Sequence, residues 1–578
     1  MSKILVALHR ATPDVAHEAG RMRRILEEIA PDIARGRARY GFDYRGHHLQ
    51  GTLNLPASTL RSGMSLCQGK IYGSADGWAE PGTPAPDGSY ALIRENARFL
   101  EALSDPAASR SLWYHFDTEM FVVSNSQRAI TLYTGRFALD PEAAPWLLAT
   151  GALGPGLSYN RHLRMLPPAS RVLLDKTDWT LLLTEGEIGF EPVARSPEAA
   201  AAALREAIEA TMASFRPEEA ARMSLALSGG ADSRTIGALL QRDAPPGLAW
   251  SSFTGGPAEG VDLPETDVAV AARVAEAIGT RHRFIATHSS PEPVETVIDR
   301  YILAAEGRVD HLGGYLDGLA LLDRLAADGV EVIIRGDTCF GGPPWQPATS
   351  ELAMRRTIGL LRLSETQPLA GRMARFGLAD QVLPPRLDRR PGESLLAWRD
   401  RIYLQYRAMS TLSALTEIKS AFTEVVNPFL SRRALAVACS LTDADRLDKA
   451  LFRRVIRDVV PDLPYAHGHG GLSAIEVLRR PGARRLLGDS LASGTARRLY
   501  GPGLLDWLQR EIDLLHLARA KAVRTVIRLA GRPAETGAPV LHPLLLAFRV
   551  HMARRMVDRL EADATLIPAA REPQRRSA

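Results

Sequence analysis

Hydrophobic and polar positions change rhythm twice along the chain. Val15, Met22, Ile25, Leu26, Ile29 and Ile33 recur at helical spacing, which predicts a helical opening up to about Gly36. From Gly51 the texture shortens. "GKIYGS" (69–74), "WYHFDTEMFVVSNS" (113–126) and "AITLYTG" (129–135) lie between Gly, Pro, Asp and Ser and read as strands and turns. "EPGTPAPDG" (80–88) is a loop. A helix is expected over "EAAPWLLATGAL" (142–153), with strands again in "LPPASRVLLD" (166–175) and "WTLLL" (179–183).

The second change falls near residues 190–197. Ser196 can cap a helix with Pro197 in its first turn, and Leu204, Ile208, Met212 and Phe215 line one face. Strands and helices then alternate: "MSLAL" (223–227), a helix over 232–241, "LAWSSFT" (248–254), a helix over 265–278, "HRFIA" (282–286), helices within 291–328, and "VEVIIRGD" (330–337). Such alternation implies a parallel sheet covered on both faces. From 350 onward the pattern is helical. The expected class is therefore α/β. Its units would be 1–195, rich in strands, 196–565, a parallel-sheet unit with a helical end, and 566–578, a disordered tail carrying prolines and arginines.

Composition narrows the class of protein without naming its task. The chain has 578 residues, 46% of them hydrophobic and 24% charged, with a net charge of +5. Arginine supplies most of the positive charge, since only six lysines occur. That is too modest and too dispersed to predict nucleic-acid binding. Cys67, Cys339 and Cys439 are far apart, unlike a disulfide frame or zinc site. "ILVAL" is too short for a secretory core, and no run reaches the ~20 apolar residues of a membrane span. A cytoplasmic protein is expected.

One stretch carries chemistry. "LALSGGADSRTIGALL" (225–240) places two glycines, an aspartate and two serines between a strand and a helix. Gly229 and Gly230 permit a sharp turn and close approach to a ligand. Amides at the helix start, with the Leu227 and Ser228 backbone and the Ser228 and Ser233 hydroxyls, suit a phosphate. Asp232 makes sense beside a phosphate if Mg²⁺ bridges the two, because Mg²⁺ prefers oxygen ligands. The loop is not GxxxxGK[ST] and has no lysine for a γ-phosphate. Its compact SGGxDS turn resembles the pyrophosphate loop of ATP pyrophosphatases. In "VEVIIRGDTCFGG", Gly336 and Asp337 follow a parallel strand at the edge where open α/β sheets bind ligands, so Asp337 is the expected second metal carboxylate. Phe253, in "WSSFTGG" (250–256), could frame an adenine or simply belong to the core.

Together, SGGADS (228–233), "RGDTCFGG" (335–342), "EVVNPFLSRR" (424–433) and "KALFRRVIRDVVPDLP" (449–464) resemble, in that order, the synthetase domain of the asparagine synthetase superfamily. The resemblance covers about 197–480, with a looser one to the family's glutaminase domain over 50–190. It implies a degenerate glutaminase-like α+β domain followed by an ATP-pyrophosphatase-type sheet. It also implies ATP and Mg²⁺ as cofactors and an AMP-forming amide ligase. The family's glutaminase uses an N-terminal cysteine. Here Met1, Ser2 and Lys3 open the sequence and the first cysteine is Cys67, so no ammonia is expected from the front domain.

The amine must then come from the substrate, as in β-lactam synthetases and lasso-peptide cyclases. "TGRFALDPEAAPWLLATGALGPGLSYNRHLRMLPPASRVLLD" (134–175) and the RGD followed by FGG are similar to the lasso branch. That branch implies adenylation of an Asp or Glu side chain of a precursor core peptide and closure by the peptide's N-terminal amine. A leader-peptide protease and a leader-recognition protein would be partners. Three alternatives stay open: β-lactam-type closure of a small molecule, ammonia-dependent amidation, and a non-catalytic nucleotide- or peptide-binding scaffold.

Two departures matter. Relatives carry a carboxylate or a tyrosine three residues ahead of the second metal aspartate, and here that position is Ile334. Glu417 and Glu424 are candidate substitutes, and mild desolvation of an α-amine with pKa near ~8 could also suffice. The family lysine after the "LP" element is missing from "LPYAHGHGGLS" (463–473), leaving His467 or His469 for its role. Lys449 matches a separate family lysine in the preceding helix, where a catalytic and a structural role both stay open.

Overall fold

A computed structural model describes residues 2–342, 350–467, 473–517 and 541–567. Its front part is two six-stranded antiparallel sheets packed face to face. The first runs Arg164–Met165, Trp113–Phe116, Met120–Ser124, Lys3–His9, His48–Leu53, Tyr40–Arg45. The second runs Thr180–Thr184, Arg171–Asp175, Phe99–Ser104, Gly88–Glu95, Ser65–Ile71, Leu60–Ser62. Ile4, Val6 and Leu8 meet Leu66, Ile93 and Leu100 between the sheets. Leu5 and Ala7 point the other way, onto Met22, Ile25 and Ile130.

Two expectations for this part need correction. The chain opens with a central strand, Lys3–His9, and the helix comes second, over Val15–Ile29. "KILVALH" is covered on both faces, so it shows no alternation by which a strand could be read. "AITLYTG" is not a strand either. Gln127–Thr134 is a helix, capped by the Ser126 side chain and ended by Gly135 at φ 64°. All eight of its residues are buried, which erases helical periodicity.

The Pro197–Met212 helix begins at the expected Ser196 cap and leads into a five-stranded parallel sheet. Its spatial order is Arg281–Ala286, Ser251–Gly256, Met223–Ala226, Val332–Ile334, Glu424–Val426. In sequence terms this is 3-2-1-4-5, all parallel. Ile333 faces one core and Val332 and Ile334 face the other, so both faces are covered as expected. The fifth strand lies inside the region expected to be helical. Three residues in a motif-bearing loop give no periodic signal.

The order reverses between the first and fourth strands. Open α/β sheets bind ligands in the crevice outside the strands' carboxyl ends at such a point. The opposite edge of the sheet rests on the front part, where Glu424 bonds Ser2 Oγ at 2.9 Å. The last helix, Pro543–Leu566, spans back to the front part through Arg128 and Asp563, 2.8 Å apart. Residues 568–578, most of the expected tail, lie outside the described residues. Among the described residues no helix is long and apolar enough to cross a membrane.

Candidate active site

SGGADS occupies the turn between Met223–Ala226 and the helix Ala231–Arg242, with Gly230 as N-cap. The loop is braced from within. Ser228 Oγ and Ser233 Oγ lie 2.9 Å apart, Ser228 N donates to Ser233 Oγ (3.0 Å), and Gly230 N donates to Ser228 Oγ (3.3 Å). Gly229 N donates to Asp267 Oδ1 at 3.0 Å. This corrects the picture of amides waiting for phosphate: those three already have partners, which a ligand would have to exchange. The first-turn amides of the helix keep the usual lack of intrahelical acceptors, with the positive end of the dipole behind them.

The glycines serve close approach rather than an unusual φ. A Cβ on Gly229 would stand 2.4 Å from the Ala466 Cβ, and one on Gly336 would stand 2.7 Å from the Ser233 amide nitrogen. Gly336 thus lets the loop after the fourth strand pass against the start of the helix after the first. That passage brings Asp232 and Asp337 to one place, and both line a cavity of about 700 Å³. Leu227, Ser228, Ser233 and Phe253 line it too.

The two carboxylates differ in state. Asp232 Oδ2 accepts from Lys449 Nζ at 2.6 Å, while its Oδ1 is buried without a partner. Burial raises the pKa of Asp232; Lys449 opposes the rise and Asp337 adds to it. Asp337 is also partly buried, which by itself would raise it, but Arg335 holds it below the usual carboxylate range through bonds of 3.0 and 3.2 Å. Magnesium is commonly bound by one or two carboxylates plus substrate phosphates. One orphaned oxygen on Asp232, with a second carboxylate on the same cavity, fits that donor set. Among the described residues no cluster of three His, Cys, Asp or Glu forms a metal site of its own.

A smaller cavity of about 310 Å³ shares Asp232, Gly336 and Asp337 and is walled by Lys449, Arg407 and the ion pair of Arg399 with Asp400. Lys449 is therefore part of the site, though it stands more than 200 residues from the loop it touches.

Glu417 and Glu424 are not brought here. Glu417 is bound to Lys3 at 2.6 Å and accepts from Ser111 N at 3.3 Å. Glu424 meets Arg110 and Ser2. It is the first residue of a parallel strand, hence at the end of the sheet away from the crevice. Both are corrected from base candidates to partners of the front sheets. His467 is exposed and bonds Glu265 only through its backbone (2.9 Å), and His469 lies outside the described residues. Ile334 is fully buried, so the usual base position is core. Lys419, Tyr315 and Arg335 line the large cavity and were missed. The scarcity of lysine was the one usable signal, since two of six fall beside this site.

The asparagine synthase family profile matches residues 199–524, more than half of the chain. The chain belongs to the asparagine synthase family. It is an ATP-dependent, asparagine-synthetase-like amide ligase. No curated protein sequence matches it. Among solved structures, one match is the glutamine phosphoribosylpyrophosphate amidotransferase of B. subtilis in complex with ADP and GMP. That match has 11% identity, covers 59% of this chain and 83% of that one, and has a TM-score of 0.19, too low for any inference. For this family member the SGGADS and RGD loops fall inside the matched region, as does Lys449.

Proposed function

We propose that this ligase is a peptide macrolactam synthetase of the lasso-cyclase type. It would adenylate an Asp or Glu side chain of a precursor core peptide and close the ring with the peptide's own N-terminal amine. The observation that carries the adenylation half of this reading is the meeting of Asp232 and Asp337 at the reversal of strand order, on a cavity of about 700 Å³. ATP would lie across the SGGADS turn, with Phe253 beside the base. Mg²⁺, when bound by Asp232 and Asp337, would neutralise triphosphate charge. Lys449, Arg399 and Arg407 would bring fixed positive charge to the departing pyrophosphate, the kind of preorganised electrostatics that contributes most to rate.

The substrate's own amine is favoured because the one cysteine among the described residues of the front part is poorly placed to release ammonia. Cys67 is fully buried, and burial pushes its thiol up to about 12. Holding amine and carboxyl in one chain also removes much of the entropic cost of bringing them together. A leader-peptide protease and a leader-recognition protein belong to this reading as partners.

The test uses the full chain with Mg²⁺, ATP and synthetic peptides having a free N-terminal amine and an internal Asp or Glu. Release of AMP and pyrophosphate with loss of one water from a peptide supports the reading. AMP formation with aspartate and ammonium, and none with peptides, replaces it by small-molecule amidation.

A further inference from the structure

One group on the large cavity has no task in the reaction outlined so far. Lys419 sits in the helix Ser413–Ser420, which follows ten residues of π-helix, Tyr403–Leu412. Its Nζ lies 2.9 Å from Tyr315 Oη and 2.8 Å from the Leu415 carbonyl oxygen. Tyr315, Leu415 and Lys419 all line the cavity that holds Asp232 and Asp337. Among the described residues no carboxylate pairs with Lys419, whereas Lys449 is paired with Asp232. An ammonium has three hydrogens to donate and accepts nothing; a neutral amine keeps a lone pair. Lys419 Nζ donates to both the Leu415 carbonyl and the Tyr315 hydroxyl oxygen; in the neutral amine the hydrogen shared with Tyr315 would sit on the phenol, with the Nζ lone pair accepting it.

Burial moves Lys419 well below the ordinary lysine range; Arg335 adds to the shift and Asp337 opposes it. Burial also raises Tyr315, so its phenol keeps its proton. Arg335 and Asp337 come from the loop after the fourth strand, and His288, His311 and Asp317 lie elsewhere on the cavity wall. Charges on packed neighbours are engaged elsewhere: Glu424 with Arg110, Asp299 with Arg555, Glu295 with Arg485, and Arg300 with Asp32 and Glu292. Arg407, on the π-helix, donates to the Ile358 carbonyl at 3.4 Å.

We infer that Lys419, with Tyr315 as relay, is the base that takes the proton of the attacking amine in the second half-reaction. This rests on the reading that an acyl-adenylate forms in this cavity. The amine nitrogen bonds to the acyl carbon, the bond from that carbon to the phosphate oxygen breaks, and AMP leaves with the electron pair. The nitrogen's proton passes to the Tyr315 oxygen as the phenolic proton crosses the 2.9 Å to Lys419 Nζ. An amide, AMP and a Lys419 ammonium result, and the ammonium returns its proton to water. The pair supplies what Ile334 cannot, from a different strand connection.

Two measurements test it. Trace acetylation of the full chain with acetic anhydride across pH, read lysine by lysine by mass spectrometry, needs no substrate. Lys419 is expected to show a midpoint well below the other lysines, and an ordinary lysine midpoint overturns the inference. The second uses any synthetic peptide that supports ATP–pyrophosphate exchange. Lys419→Met and Tyr315→Phe should keep exchange within about threefold while amide closure falls by about 10²-fold. Hydroxylamine, neutral at neutral pH, should still convert the adenylate to hydroxamate in both variants. Equal loss of exchange and closure, or closure at full rate in either variant, overturns it. If no peptide supports exchange by the unaltered chain, the adenylation reading fails, and the acetylation midpoint still judges Lys419 by itself.

Discussion

Two polar clusters of this molecule look alike in composition and differ in what their carboxylates have left over. At the seam between the front sheets and the parallel sheet, Glu417 is bound to Lys3 and Ser111, and Glu424 to Arg110 and Ser2. Ser2 N also donates to the Ser420 carbonyl at 2.6 Å. The carboxylates there are fully engaged in joining two bodies. In the crevice at the opposite end of the sheet, Asp232 keeps a buried oxygen with no partner and Lys419, among the described residues, has no carboxylate bonded to it. A buried carboxylate oxygen left unsatisfied costs stability, and a bound cation would complete it. The seam's own leftovers are donors, Arg110 Nε and Nη1, so it is the unpartnered carboxylate oxygen that separates site from seam.

The largest effect should come from Asp232→Asn. It removes the charge that faces the triphosphate while preserving shape, and ATP–pyrophosphate exchange should fall by about 10³-fold or more. Exchange within tenfold of the unaltered protein would mean that the leftover oxygen is not a site. Glu417→Ala should do the reverse. Stranding the buried Lys3 ammonium should cost about 3 kcal/mol of stability in denaturant unfolding, with exchange per folded molecule within a few-fold. If Glu417→Ala lowers exchange as far as Asp232→Asn does, the two clusters are not different in kind.

Much of this was legible in the sequence, and the reasons for the misses are physical. The Ser196 cap, the strand and helix alternation and the SGGADS turn could be read because local chemistry determines each of them. Asp337 could be placed because a strand's carboxyl end is a defined location in a parallel sheet. Lys3–His9 and Gln127–Thr134 could not be read, since burial on all sides removes the periodicity that distinguishes strand from helix. Glu417 was misread because proximity to a motif in sequence says nothing about direction. Lys419 is two residues away from it on the same helix and points into the cavity. Two residues turn a helix by about 200°, which is the whole difference between seam and site.

A smaller effect is expected at Gly336. Its added Cβ in Gly336→Ala would meet backbone at 2.7 Å, which cannot yield as a side-chain tip can. The two loops would be pushed apart, costing about 2 kcal/mol and lowering exchange by roughly tenfold or more. Gly230→Ala is the control, because its nearest neighbour would be the Ser228 hydroxyl at 3.4 Å. Equal damage from both variants would argue that close approach at Gly336 does not set the distance between the carboxylates.

The smallest effect should be at Cys67, and its absence is informative. Fully buried on the Ser65–Ile71 strand, with its thiol raised to about 12, Cys67 carries thiolate at pH 8 on the order of one part in ten thousand. Iodoacetamide should leave it unlabelled in the folded protein and modify it promptly once denaturant is added. Cys67→Ala should leave ATP–pyrophosphate exchange unchanged. Rapid native labelling, or ammonia released from glutamine by the full chain and lost in Cys67→Ala, would place a working nucleophile in the front sheets. The seam would then be a second site, and the substrate's own amine would lose its claim as the only nitrogen source.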